Sequence, residues 1–240
     1  KAGAKLAVLS RKQEKVDAAV AELKALGTDA IGFSADVRNY DSVAAALAAT
    51  HEPWGPIDVL VSGAAGNFMA PALGLSANAF KTVIDIDLLG TFNVLRASFE
   101  YLRKPGAAIV NISAPQAWLP TPMQIHACSA KAGVDMATKT LAMEWGPSGV
   151  RVNAIAPGPI EGTEGMDRLA PDDMATDALT RTIPLKRYGQ KDDIAEAALW
   201  LCSDKASYVN GVVLPVDGGW SLGGSIGMWG GAFPGASGER

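Results

Sequence analysis

The chain has 240 residues, 48% of them hydrophobic and 19% charged, which suits one well-buried domain (residues 1–240) of the α/β kind. A net charge of −4 argues against a general nucleic-acid binder and leaves small molecules as the expected partners, anionic ones included where a few local basic residues hold them. Cys128 and Cys202 are too few for a disulfide framework or a structural zinc site, His51 and His126 are the only histidines, and no run approaches the roughly 18 apolar residues of a membrane span, so the expectation is no metal, no membrane and a reducing compartment.

Short apolar runs then alternate with helical patterns. KLAVLS (Lys5 to Ser10) reads as a strand, after which Val16, Ala19, Val20, Leu23 and Leu26 recur at helical spacing until Gly27 supplies a stop. A second strand is predicted over Asp29 to Asp36, a helix near Asp41 to Thr50, a third strand over Ile57 to Gly63 and a long helix over Ala77 to Leu102. The fourth strand, Ala107 to Ser113, precedes a helix over Gln124 to Trp145. The fifth, Val150 to Pro157, precedes one over Lys191 to Cys202, and Gly211 to Asp217 is the sixth strand. Continuous apolar strands joined by crossover helices predict a parallel sheet covered on both faces, the doubly wound Rossmann-type α/β fold.

Ligands in such a sheet sit beyond the carboxyl ends of the strands, so those ends are where chemistry is sought. They read Ser10-Arg11 after the first strand, Asp36-Val37 after the second, SGAAGNF (Ser62 to Phe68) after the third and PGPIEGT (Pro157 to Thr163) after the fifth. Small residues there let a ligand approach the backbone, although each loop alone reads equally well as a tight turn. Their order and spacing together are the signal. On the helix over Gln124 to Trp145, Ala127 and Lys131 share a face at the i,i+4 spacing. A tyrosine at 127 would be a proton donor beside a cation that lowers its pKa; an alanine means that chemistry here needs another source of protons.

Over nearly its whole length the sequence resembles the short-chain dehydrogenase/reductase family, and within it the 2,4-dienoyl-CoA reductases of the peroxisomal type and their bacterial relatives. The segments that carry the likeness are AAGNF (Ala64 to Phe68), NAFKTVIDIDLLGTFNV (Asn78 to Val94), HACSAKAGVDMATKTLAMEWGP (His126 to Pro147), RVNAIAPGPIEGTEG (Arg151 to Gly165) and VDGGW (Val216 to Trp220). Most of the wider family carries a serine after the fourth strand and a tyrosine four residues before the lysine, which together polarise a carbonyl. Here Ala114 and Ala127 stand in those places, and Ser113 should point to the other face of its strand. The dienoyl-CoA reductases also lack the tyrosine. Their substrate accepts hydride at the far end of a conjugated thioester, so that charge collects on the thioester oxygen and a proton then goes to carbon.

The resemblance implies catalytic roles for Asp87 and Lys131. Lys131 would hold the nicotinamide ribose hydroxyls and add positive potential near the developing charge. Asp87 stands where the wider family has an asparagine, in a helix that kinks near the site, and would work with Lys131 through a water as the route of the proton. The plainer alternatives are a surface lysine and a structural pairing of the aspartate. Arg11 takes the place where a basic residue accommodates a 2′-phosphate, which points to NADP(H), unless it is only the first solvated charge of its helix. The likeness makes Asp36 and Val37 adenine contacts, Ile160 and Thr163 nicotinamide contacts, Pro157 and Gly158 further cofactor-binding residues, and Phe68, Ser76, Asn78 and Arg168 contacts of an acyl-CoA substrate. His126 and Trp118 lie nearby and read as packing.

Members of the family open with a strand and a TGxxxGxG loop that receives the pyrophosphate, whereas this chain opens with KAGAKLAVLS, matching the end of the helix after that loop. The sequence is therefore expected to represent part of a longer protein. Residues 161–184 read as a substrate-covering lid or a solvated helical insert, and 218–240 as a Gly-rich tail. The resemblance implies a homotetramer built on the helices over Ala77 to Leu102 and Gln124 to Trp145. Gly238-Glu239-Arg240 is not a peroxisomal address, so a bacterial-type cytoplasmic setting is expected. The leading expectation is an NADPH-dependent 2,4-dienoyl-CoA reductase; a reductase of another acyl-CoA or carbonyl substrate and a non-catalytic nucleotide or acyl-CoA binding module are the alternatives.

Overall fold

In the computed structural model of the chain, residues 3–163, 165–166 and 172–223 are described. All six predicted strands are present, each shorter at one or both ends: β1 (Leu6–Ser10), β2 (Ala30–Ser34), β3 (Val59–Ser62), β4 (Ala108–Ile112), β5 (Arg151–Pro157) and β6 (Val213–Val216). They are joined by α1 (Gln13–Ala25), α2 (Tyr40–Trp54), α3 (Ala77–Val83), α4 (Gly90–Ser98), α5 (Ile125–Trp145), α6 (Asp173–Thr182) and α7 (Lys191–Cys202). Every strand pairing is parallel. The ladders form two groups, β1-β2 and β3-β4-β5-β6. The division falls between β1 and β3, where the resemblance places the strand that carries the phosphate loop. Val59 and Val61 of β3, apolar in sequence as a central strand demands, are accordingly 44% and 54% exposed.

The four-stranded group is the centre of the molecule. Successive residues of β4 face opposite layers: Ile109 packs with Leu95, Ala142, Val150 and Val152, whereas Val110 packs with Ile155 and Leu201 of α7. That alternation between two apolar layers is why the strand is hydrophobic at every step but Asn111, whose buried amide donates to Thr138 Oγ1 at 2.9 Å. Each of the fully buried valine, leucine and isoleucine side chains among them contributes about 1.5–3 kcal/mol.

The long helix predicted over Ala77 to Leu102 is interrupted. Its middle is a π turn, Ile84–Leu89, flanked by α3 and α4, and the helix stops at Ser98. A side chain at Gly90 would meet Val37 Cγ2 at 2.5 Å, and one at Gly133 would meet Leu88 Cδ2 at 2.8 Å, so two glycines let the widened turn sit against its neighbours. Asp87 is thereby directed inward and buried, while Asp85, two residues earlier, pairs with Lys81 at the surface. In the segment expected to be a lid, α6 has no buried residue, and its start is capped by Asp172, which accepts from the Ala175 N–H at 2.8 Å. The base of that segment is held by the Ile160 to Gly189 bridge and by Gln190 Nε2 donating to Glu161 Oε2 at 2.6 Å. Among the described residues no helix is long and apolar enough to cross a membrane.

Candidate active site

The carboxyl ends of β3 and β4, the π turn and the start of α5 meet around one carboxylate. Asp87 Oδ1 accepts the Gly66 N–H at 2.7 Å from the loop after β3, and Asp87 Oδ2 lies 3.5 Å from Lys131 Nζ. Lys131 also donates to the Ile112 carbonyl at the end of β4 at 2.9 Å. The loop, the strand end and two helices thus converge on a buried acid and a buried amine. At that separation and an effective dielectric of about 20, the attraction of the two charges is about 5 kcal/mol. Taking both ions out of water costs several kcal/mol each. Desolvation therefore raises the Asp87 carboxyl above its ordinary range, with Lys131 and the Gly66 N–H opposing. It lowers the Lys131 ammonium, with Asp87 opposing. Such a pair is a poor stabiliser of the fold.

The hydroxyl positions are empty of hydroxyls: Ala127 is buried on α5 and Ala114 follows β4. Ser113 is engaged elsewhere, its Oγ donating to Asp135, one turn beyond Lys131, and burial raises the Asp135 carboxyl as well. Of the acyl-CoA contacts expected from sequence, Phe68 stacks on His126 with ring centroids 4.4 Å apart. Ser76 caps α3, its Oγ accepting from the Ala79 N–H at 3.1 Å, and the Asn78 carbonyl accepts from Thr82. Both contacts are those of a helix start. Arg168 lies outside the described residues.

On the other flank, Arg11 is exposed at the end of β1, within electrostatic reach of Asp36 after β2. Asp36 is held by Arg38, with Nε 3.0 Å from Oδ1 and Nη2 2.5 Å from Oδ2, and this fork keeps its carboxyl below the usual range. Arg38 was missed by the sequence reading, although its i,i+2 spacing from Asp36 is visible there. The Val37 carbonyl accepts from Asn93 Nδ2 at 2.8 Å, which ties the β2 loop to the helix bearing Asp87. Pro157 ends β5; the Gly158 N–H donates to Val216 at 3.0 Å, and a Cβ on Gly158 would lie 2.6 Å from the Asp217 Cα. Thr163 Oγ1 closes the loop onto the Ile160 carbonyl at 2.9 Å. Asn67 and Gln124 were also missed; their 2.8 Å hydrogen bond joins the β3 loop to the start of α5.

These donors suit a dinucleotide. An exposed guanidinium stands at one strand end, and the Lys131 ammonium, which has three hydrogens, gives one to Ile112 and faces Asp87 with another, leaving a third to offer a ribose hydroxyl. Oxidoreductase chemistry over a parallel sheet is the class that fold and site define.

Comparison with known proteins places the chain within that class. A family model described as enoyl-(acyl carrier protein) reductase matches residues 1–221. The chain is 44% identical over 229 residues to the peroxisomal 2,4-dienoyl-CoA reductase [(3E)-enoyl-CoA-producing] of Arabidopsis thaliana, covering 91% of this chain and 76% of that one. It is 38% identical over 215 residues to the probable 2,4-dienoyl-CoA reductase [(2E)-enoyl-CoA-producing] of Bacillus subtilis, covering 88% and 85%. Among solved structures it is similar to a gluconate 5-dehydrogenase from Burkholderia cenocepacia in complex with NADP and tartrate, with a TM-score of 0.86, 31% identity and coverage of 92% and 86%. The chain belongs to the short-chain dehydrogenase/reductase family, whose members are nicotinamide-dependent oxidoreductases.

Proposed function

We propose that the protein is an NADPH-dependent 2,4-dienoyl-CoA reductase that yields an enoyl-CoA during the breakdown of unsaturated fatty acids. The observation that carries this reading is the buried Asp87–Lys131 pair, 3.5 Å apart, in a site where Ala114 and Ala127 supply no hydroxyl. A ketone would need a donor aimed at its oxygen, whereas a dienoyl thioester needs charge stabilisation at one end and a proton at carbon.

When bound, the reduced nicotinamide supplies the hydride that reaches the far carbon of the diene. The residues of the chain handle the charge and the proton that follow. Lys131 brings positive potential to the side of the thioester where negative charge accumulates. Asp87, whose carboxyl burial pushes up, retains a proton at a pH where an exposed aspartate has none, and passes it to carbon directly or through a water. Delivery to the α carbon leaves the 3,4 double bond, and delivery to the γ carbon leaves the 2,3 double bond. Once the proton has gone, the carboxylate faces the ammonium and the ion pair is strongest. Arg11 would hold the adenosine 2′-phosphate, with Asp36 and Val37 at the adenine, Ile160 and Thr163 at the nicotinamide, and Pro157 and Gly158 as further cofactor-binding residues. Phe68, Ser76, Asn78 and Arg168 would line the acyl-CoA path, with 161–184 as its lid within a single domain. Exposed Leu89, Phe92, Met136 and Met143 on the π turn, α4 and α5 support self-association through those helices, as a tetramer.

Arg11→Ala tests the cofactor assignment. Losing one charge-assisted phosphate contact should raise the KM for NADPH about tenfold to a hundredfold and leave that for NADH within about twofold. Equal effects on both cofactors would reject the phosphate role. A panel of 2,4-dienoyl-CoA, 2-enoyl-CoA and 3-ketoacyl-CoA thioesters tests the reaction: turnover confined to the dienoyl substrate supports the reading, and preference for a ketone overturns it.

A further inference from the structure

Neither ring nitrogen of His126 has a hydrogen-bond partner among the described residues, and the residue is 0% exposed. Packing does not account for it. Phenylalanine or leucine would fill the same volume without bringing two polar atoms out of water and leaving them unsatisfied. His126 stands in the first turn of α5, five residues before Lys131, and lies near enough to Asp87 for a positive charge on it to favour the carboxylate. Its cover on one side is the ring of Phe68, inclined by 26° and itself 39% exposed on the loop after β3. A partly exposed aromatic ring thus covers one face of the buried imidazole.

Building on the acyl-CoA reading above, we propose that His126 is a substrate-contacting residue: it donates a ring N–H to the thioester oxygen, and Phe68 tilts away from the imidazole as the thioester enters. A neutral imidazole carries one N–H donor, and a donor held in a dry site at the oxygen where charge develops strengthens as the dienolate forms. The role left open at Ala127 and Ala114 is then filled from the residue beside Ala127. No proton leaves the imidazole; the hydrogen bond shortens toward the charged oxygen and relaxes when the proton reaches carbon. Phe68 has a matching task, shielding the donor from water until the substrate replaces it.

Two readouts test this on the whole chain. The first is nitrogen NMR of histidine-labelled protein, with His51→Gln assigning the two imidazoles, titrated with hexanoyl-CoA and separately with free CoA. The His126 ring signals should move with hexanoyl-CoA, which presents the same thioester oxygen without being reduced, and stay put with CoA. The second is His126→Phe, which keeps an aromatic ring against Phe68 and removes the donor. It should lower kcat/KM for 2,4-hexadienoyl-CoA about a hundredfold, with the melting temperature and NADPH affinity preserved. His126→Gln, which restores an N–H, should recover part of the loss. Unmoved ring signals with bound hexanoyl-CoA, or a His126→Phe variant within twofold of the parent, would overturn the proposal. Signals that move in a protein unable to reduce any dienoyl-CoA would uphold the contact and refute the assigned reaction. If His126→Phe does not fold, the NMR titration of the unaltered ring decides alone.

Discussion

Asp87 and Lys131 each lose hydration on folding, and neither is repaid by ideal geometry at 3.5 Å. Removing one partner strands the other. Asp87→Leu or Lys131→Met alone should therefore cost about 3–5 kcal/mol in urea unfolding, whereas the double substitution should cost far less than the sum and could even stabilise. Additive losses would show that the groups do not interact. The pH dependence follows from the same burial. Because the folded chain favours protonated Asp87, that residue's contribution to stability is complete below the ordinary value of 3.8 and is lost as pH rises through the raised folded value. For Lys131 the sign reverses: its contribution is complete above the ordinary value of 10.5 and is lost as pH falls through the lowered one. The titration that ionises Asp87 also removes the acid, so kcat should decline along a basic limb lying above pH 3.8. Asp87→Asn should abolish the limb along with most of the activity; a residual rate with the limb intact would assign it to another group, such as Lys131 or Asp135, which stand in the same neighbourhood.

At the scale of elements, short backbone approaches fix where the site residues stand. Gly158 is the clearest case, because a Cβ there would lie 2.6 Å from the Cα and 2.7 Å from the Cβ of Asp217, and backbone on that side cannot swing away as a long side chain would. Gly158→Ala should destabilise the fold by about 1–3 kcal/mol and lower the melting temperature by several degrees, shifting the loop that bears Ile160 and Thr163. A variant with an unchanged melting temperature would mean that β5 and the β6 turn adjust freely. The strands were legible in sequence because each is a continuous apolar run bounded by small or polar residues, and α1, α2, α5 and α7 because their apolar positions recur at helical spacing. The π turn was foreseen only as the kink that the family resemblance implies; what accommodates it, the absence of a Cβ at Gly90 beside Val37 and at Gly133 beside Leu88, involves segments far apart in the chain. α6 was left between lid and insert because a solvated helical insert would show a similar sequence, and the helix has no buried residue that would tell the two apart.

For the molecule as a whole, the parallel order of strands determined which loops would meet, and sequence spacing located Arg11, Asp36, Val37 and the loop from Pro157 to Thr163 at strand ends, whereas Asp87 and Lys131 were singled out through the family resemblance. What it did not convey is how side chains are shared. Arg38 occupies the Asp36 carboxylate, Asp135 takes the Ser113 hydroxyl, and His126, read as packing, is buried with neither ring nitrogen hydrogen-bonded among the described residues. Those relations depend on distances across elements that no local pattern encodes. The division of the ladders between β1 and β3 leaves apolar Val59 and Val61 open, so the four-stranded group carries the site's geometry through β4 and β5, whose residues are the most deeply buried. The central claim is that this scaffold uses a buried acid and amine, without a hydroxyl, to reduce a conjugated thioester. The most direct measurement is the rate at which 2,4-hexadienoyl-CoA consumes NADPH, followed by nicotinamide absorbance, for the parent chain beside Lys131→Ala and Asp87→Asn. The account predicts turnover by the parent and a loss of about a hundredfold or more in each variant. Turnover undiminished in either variant, or a folded parent that binds the thioester and NADPH without reaction, would contradict it.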